Sequence, residues 1–230
     1  MILGVDASNI RQGGGVTHLI EVLGKAEPSA HGFRQVIVWG GEATLSQLGD
    51  RPWLMKAHQP QLDEGLVHRA FWQRARLSGL ARDAACDVLF VPGGSFTGDF
   101  RPMVTMSRNM LPVEWGELRR FGWSLMTLKL IGLRVVQSRT FRRADGLIFL
   151  TAYARDAVMR MIEVTPAETT IIPHGVDERF TRAPRRGRAI GEHSTEHPFR
   201  ILYVSNIDVY KHAWHVADAV TRLRSSGLPV

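Results

Sequence analysis

A chain of 230 residues, 44% hydrophobic and 22% charged, has the composition of an ordinary soluble globular protein with a real core, and no run approaches the roughly 18 consecutive apolar residues of a membrane span. A single cysteine, Cys86, excludes an internal disulfide, fits a reducing cytosol and reads as an inert buried thiol. The net charge of +7 and a pI near 10.3 imply a face that attracts nucleic acid, anionic headgroups or phosphorylated small molecules, and without stacking aromatics or paired zinc ligands nucleic acid is disfavoured.

In chain order, Ile2 to Val5 reads as a first core strand, with no basic flank or cleavage-site pattern ahead of it. A glycine-rich turn and a helix over Val16 to Lys25 follow, then a strand over Gln35 to Trp39 and a helix over Ala43 to Leu48. A long helix is expected over Leu62 to Ala85, strands over Asp87 to Val91 and Met103 to Met106, and a second long helix over Glu114 to Arg143. A strand at Gly146 to Leu150, a helix at Ala152 to Ile162 and a strand at Thr169 to Ile172 complete the alternation. Val36-Ile-Val-Trp39 and Val88-Leu-Phe-Val91 are continuously apolar, as strands buried on both faces must be, so the pattern predicts an α/β fold with a doubly wound parallel, Rossmann-like sheet. Apolar density then collapses between Thr181 and Pro198 into a linker containing Arg182, Pro184, Arg185, Arg186 and Arg188. A new strand at Arg200 to Val204 and a helix at Trp214 to Leu223 resume beyond it. A lone strand and helix cannot enclose a core, so this tail either docks on the first domain, is completed by a partner chain, or belongs to an incomplete domain.

The turn Asp6-Ala-Ser-Asn-Ile-Arg-Gln-Gly-Gly-Gly-Val16 places Gly13, Gly14 and Gly15 at a helix N-terminus, where close backbone approach and unpaired N–H groups favour an anion or a sugar oxygen; a flexible structural turn is the alternative. The dinucleotide fingerprint is absent, as is the lysine of a P-loop, and the second strand runs into Trp39-Gly40-Gly41 without an acidic residue, which disfavours a Rossmann oxidoreductase.

Thr170-Ile-Ile-Pro-His-Gly-Val-Asp-Glu-Arg-Phe180 resembles the segment that closes the first domain of GT-B glycosyltransferases in the large retaining family four, and Leu202-Tyr-Val-Ser-Asn-Ile-Asp-Val-Tyr-Lys211 resembles the strand, turn and lysine that follow it. Val104-Thr-Met-Ser-Arg-Asn-Met-Leu-Pro112 resembles the active-site turn of that first domain, and Ala144-Asp-Gly-Leu-Ile-Phe-Leu-Thr-Ala-Tyr-Ala-Arg155 its later strand-helix junction. The matches span nearly the whole chain in the family's order. The resemblance implies an N-terminal acceptor-side domain over residues 1–180, a linker over 181–199 and the incomplete start of a nucleotide-sugar-binding domain over 200–230. It implies retaining transfer of a hexosyl unit from a nucleotide diphosphate sugar to a glycan or lipid-linked acceptor, with no metal and no cofactor beyond that donor. Gly13, Gly14, Gly15, Asn109 and Thr151 would line the acceptor side, Lys211 and Asn206 the donor diphosphate, and His174 and Gly175 the hinge of the cleft.

The departures narrow this. Ser107-Arg108-Asn109 stands where many members carry a His-Asp pair, so no catalytic residue is assigned; Asn206 replaces a usual arginine; and the family's paired glutamates lie past Val230, which implies a truncated chain with little or no turnover on its own. The rival reading is a non-catalytic binding or scaffold protein whose second domain a partner chain completes.

Between Glu114 and Arg143, seven Arg and Lys residues alternate with Trp115, Phe121, Trp123, Leu125 and Leu128. This reads either as a core helix with a solvated basic face or as a peripheral contact with the inner face of a membrane, the protein being otherwise cytoplasmic. His193 and His197 sit in a polar linker with no helix to aim them at a metal, while His18 and His174 are either structural or face the cleft.

Overall fold

The computed structural model describes residues 1–163, 168–181, 183, 184 and 187–230, leaving aside the side chain of Ile190. Arg182, Arg185 and Arg186 of the expected linker lie outside the described residues. The chain divides into two compact units, Met1–Glu114 with Leu128–Pro173, and Trp115–Thr127 with His174–Val230.

The first unit is an α/β structure around one seven-stranded sheet. Its strands are β1 (Ile2–Asp6), β2 (Gln35–Gly40), β3 (Leu54–His58), β4 (Val88–Val91), β5 (Met103–Ser107), β6 (Gly146–Phe149) and β7 (Glu168–Ile171), in spatial order β3-β2-β1-β4-β5-β6-β7. All six pairings are parallel, with Val5 opposite Val38 on one side and Phe90 on the other. The expected Rossmann-like layering is therefore present. Side chains alternate across the sheet, so Leu89 and Val91 join one buried cluster while Phe90 packs against the other.

Helix α1 (Gly14–Lys25) lays Val16, Leu19 and Leu23 on one face of the sheet, and the short α2 (Glu42–Leu45) adds Leu45 to the same cluster. The other face is covered by α3 (Leu66–Trp72), α4 (Ser78–Asp83), the later part of α6 (Leu125–Arg143) and α7 (Ala152–Ile162), through Trp72, Ala81, Phe141, Ala157, Val158 and Ile162. Helix α7 forms where its sequence says it should: Thr151 caps it by accepting from the Ala154 N–H at 3.0 Å, and Ala154, Ala157, Val158 and Ile162 recur at helical spacing on its buried face.

Three expectations change. The helix expected over 62–85 is α3 and α4 joined by a π-helical stretch, Gln73–Leu77, whose extra residue turns both Gln73 and Leu77 inward. The helix expected over 114–143 is two, α5 (Trp115–Arg119) and α6, because Gly122 takes φ 58° and the Ser124 hydroxyl accepts from the Thr127 N–H at 3.2 Å to restart the helix. Strand β3 was not expected at all: Leu54-Met-Lys-Ala-His58 lies at the sheet edge, where only one neighbour is needed and mixed polarity is tolerated.

Gly4 sits where β1 is crossed by the Trp39 ring. A Cβ there would lie 2.9 Å from a Trp39 ring carbon, 3.1 Å from Leu89 and 3.2 Å from the Cys86 sulfur. Gly4→Ala is expected to overpack this point and lower stability by about 1–3 kcal/mol, measurable by urea denaturation.

The second unit is sparse. It contains α5, α8 (Ala213–Ser225) and single 3₁₀ turns, of which Val209–Lys211 is one, and no strand among its described residues. Within it, His212 Nε2 lies 3.1 Å from a Glu117 carboxylate oxygen. The strand expected at Arg200 to Val204 does not form: residues 200–208 are irregular, and Leu202, Val204 and Ile207 are exposed. A strand exists only by pairing, and this segment has no partner ladder. No helix among the described residues is long and apolar enough to cross a membrane.

Candidate functional site

Because every strand is parallel, the carboxyl ends of β1, β5 and β6 all lie at one edge of the sheet, and with them the turns carrying Gly13 to Gly15, Ser107 to Asn109, and Thr151. Open parallel sheets take ligands at that edge. The β1 turn is built in steps. Ala7 still donates to the Trp39 carbonyl at 2.9 Å, Ile10 N–H closes a turn on the Ala7 carbonyl at 3.0 Å, and Gly13 at φ 68° breaks the direction so that α1 begins. A side chain at Gly13 would strain that left-handed backbone.

Beneath the turn lies a buried polar network. Gln73 Nε2 donates to Asp6 Oδ2 at 2.5 Å and to the Ser95 carbonyl at 2.9 Å, while Gln73 Oε1 accepts from the Thr97 N–H and hydroxyl at 3.3 and 3.2 Å. Asp6 Oδ1 accepts from the Ser8 N–H at 2.9 Å. Burial pushes the Asp6 carboxyl above its ordinary range, and the bonds from Ser8 and Gln73 oppose that rise.

Above the network stand three arginines. Arg108 places its two terminal nitrogens 3.3 and 3.4 Å from where a Cβ on Gly15 would be, so the guanidinium lies against the glycine turn. Its Nε is buried without a hydrogen-bond partner, and burial lowers its pKa from the ordinary arginine range. Arg69 Nη1 donates to the Ser8 carbonyl at 3.2 Å and to Asn9 Oδ1 at 3.4 Å; its own Nε is also buried without a partner. Burial first, then the charge of Arg11, lowers the Arg69 pKa. Arg11 is held by the carbonyls of Asp63 and Glu64 at 3.2 and 3.0 Å. Arg11 and Arg69 are thus hydrogen-bonded to neutral acceptors, the Arg11 charge also helping to lower the Asp63 pKa, and among the described residues no carboxylate bonds to Arg108.

The residues expected at the site divide between the two units. Gly13, Gly14, Gly15, Asn109 and Thr151 belong to the first, at its ligand edge. There Asn109 is exposed and its Oδ1 accepts from the Leu111 N–H at 3.0 Å, while Thr151 spends its hydroxyl on the α7 cap. Both side chains thus shape turns at that edge. His174, Gly175, Asn206 and Lys211 belong to the second unit. Of these, His174, Gly175 and Asn206 are exposed in irregular chain. Lys211 ends the Val209–Lys211 turn with its Nζ 4.8 Å from the Tyr210 ring centroid and its carbonyl accepting from the Tyr203 hydroxyl at 2.5 Å.

Among the described residues no three His, Cys, Asp or Glu side chains gather to hold a metal. Cys86 is half-buried, with its thiol pushed up to about 11 chiefly by burial, so it stays protonated and unreactive. Arg11, Arg69, Arg108 and Gln73 were not singled out in the sequence. Arg108 had one visible signal, its place in the turn where the resemblance led one to look for a histidine, and Arg11 its place within the glycine turn; Arg69 and Gln73, one helical turn apart but far from either in sequence, had none. Neither a protein-family model nor a characterised protein matches this sequence.

Proposed function

We infer that the chain is the acceptor-side part of a glycosyltransferase of the GT-B type, resembling its retaining family four, with hexosyl transfer from a nucleotide diphosphate sugar to a glycan or lipid-linked acceptor as the reaction it serves. One observation carries the reading: the order β3-β2-β1-β4-β5-β6-β7, all parallel, gathers the glycine turn, the Ser107–Asn109 turn and the Thr151 turn at a single edge, in the sequence order the resemblance implies. In the reaction the bond between the anomeric carbon and the diphosphate oxygen breaks and a bond to an acceptor hydroxyl forms on the same face, the acceptor's proton passing to the departing diphosphate oxygen. The protein's share is to orient that hydroxyl from the glycine turn and to offset charge developing on the diphosphate, the role assigned to Lys211. His174 and Gly175 act as the hinge. Trp123 and Leu125, exposed near Arg119 and Arg120 in sequence, suit the membrane-surface contact that a lipid-linked acceptor requires.

The test is ligand-observed NMR on the full chain with a panel of glycans, glycolipids and nucleotide sugars, together with assay of nucleoside diphosphate release. Acceptor-type ligands should bind and should be displaced by Gly15→Val, whose side chain would push into Arg108. Because the second unit offers no sheet among its described residues, the chain alone should release little nucleoside diphosphate. Fast turnover by the isolated chain that ignores Lys211→Ala, or tight binding of a nicotinamide dinucleotide at the glycine turn, would sink the reading.

The second reading is a binding protein whose sparse unit is completed by a partner chain. It is favoured by Ile201, Leu202, Val204 and Ile207, all exposed and apolar. A defined heteromeric mass by light scattering after purification from its native source would select it.

A further inference from the structure

We propose that the edge between the β1 glycine turn and the β5 turn binds a phosphate-bearing small molecule, with the Arg108 guanidinium as its principal grip. A half-buried guanidinium with no carboxylate bonded to it among the described residues is costly, and it lies here against the glycine turn, its terminal nitrogens 3.3 and 3.4 Å from where a Gly15 Cβ would be. Arg69 and Arg11 bring two more cations to the same turn through Ser8, Asn9 and the 63–64 backbone. Arg108 and Arg69, neither bonded to a carboxylate among the described residues, with Arg11 sharing its charge with the Asp63 carboxylate, suit a dianion better than a monoanion.

The surroundings are unsatisfied in the same place. Ser107 Oγ, Ser95 Oγ and Gln137 Oε1 are buried polar atoms with no hydrogen-bond partner among the described residues, and Ser107 and Gln137 are only 3% and 5% exposed. They belong together in space. A Cβ on Gly94 would lie 3.2 Å from Gln137 Nε2 and 3.1 Å from the Met106 carbonyl, and one on Gly93 would lie 3.8 Å from Asn9 of the β1 turn. Hydroxyls and an amide oxygen at the same edge of the sheet as the guanidinium suit a phosphorylated polyol, whose phosphate would take the fork and whose hydroxyls would reach toward Ser and Gln. The first-turn N–H groups of α1 add to the same field. Assigning this ligand as the sugar acceptor rests on the glycosyl-transfer reading; the phosphate site itself does not.

The experiment is calorimetric titration of the full chain with inorganic phosphate, a hexose phosphate, the unphosphorylated hexose and a nucleoside diphosphate. The hexose phosphate should bind and the free hexose should not. Arg108→Gln should weaken phosphate binding by about 10- to 100-fold. Arg108→Lys, which keeps the charge but loses the fork, should fall between. Arg34→Gln, an exposed arginine just before β2 at the opposite edge, should bind as wild type. If Arg108→Gln does not fold by circular dichroism, the lysine variant decides: native melting with undiminished affinity overturns the proposal, as does failure of every phosphate compound to bind the wild type. Arg108-dependent preference for the nucleoside diphosphate would uphold the phosphate site and remove its acceptor assignment. Phosphate binding by a chain to which no glycan or glycolipid of the acceptor panel binds would leave this site standing and count against the transferase.

Discussion

Replacing Gln73 with leucine is expected to lower the free energy of unfolding by about 3–5 kcal/mol, the summed cost of several buried polar groups left without partners at about 1–3 kcal/mol each. Leucine nearly matches glutamine in volume, so packing changes little and the loss is one of hydrogen bonds. Asp6 keeps only its bonds from Ser8, the Ser95 carbonyl loses its donor, and the Thr97 N–H loses its acceptor, all from one substitution. The pH dependence identifies the cause. The Asp6 carboxyl is already raised above its ordinary 3.8 by burial, so the folded state takes up this proton at a higher pH than the unfolded state does. Stability carried by this group therefore rises as pH falls through the folded value toward 3.8 and is lost as pH rises back. Removing the Gln73 donor pushes the carboxyl further up, so the deficit of Gln73→Leu should be largest at neutral pH and shrink on acidification. A deficit that does not change with pH would place the cost in packing and not in the Asp6 charge. An Asp6→Leu, Gln73→Leu double variant should be less damaged than the sum of the two single ones.

That network also marks the limit of what the sequence made legible. The sheet was readable because its strands are buried on both faces: Val36-Ile-Val-Trp39 and Val88-Leu-Phe-Val91 have no other stable placement. Helix α7 was readable to the residue because a capping threonine and a four-membered apolar stripe agree. The glycine turn was placed correctly at the start of α1 by the same kind of local logic. What escaped was whatever depends on long-range neighbours. Gln73 becomes a hub only through a π-helical turn that no periodicity reveals, and Arg108 acquires its significance from Gly15, 93 positions away in the chain. The edge strand β3 has half the burial of a central strand and so half the signal. Arg200 to Val204 illustrates the converse, a run with every strand propensity and no ladder to join.

Backbone amides of residues 200–208 are accordingly expected to exchange with deuterium almost as fast as an unstructured peptide, while those of Val36, Ile37 and Val38 are protected by orders of magnitude, close to the global stability. Val36, Ile37 and Val38 of β2 are paired with both β1 and β3 and are buried. Between 200 and 208 no backbone N–H finds an acceptor among the described residues; the nearest exception is Phe199, which donates to the Pro229 carbonyl at 2.7 Å and should be slower than its neighbours. The other ties are the Tyr203 hydroxyl on the Lys211 carbonyl, the Ser205 hydroxyl on the Asn206 carbonyl, and Asp208 accepting from the Val209 and Lys211 N–H groups, none of which shields an amide between 200 and 208. The same experiment separates the two readings of the chain. Leu202, Val204 and Ile207 keep their apolar side chains in water, an arrangement whose cost is relieved only when another strand pairs with this one. If a partner chain completes this unit, adding it should protect residues 200–204 in an alternating pattern, one residue in two, as a newly paired edge strand shows. If instead the segment is already paired in the isolated chain, its amides will be as slow as those of β2, and the absence of a ladder in the second unit will have been contradicted in solution.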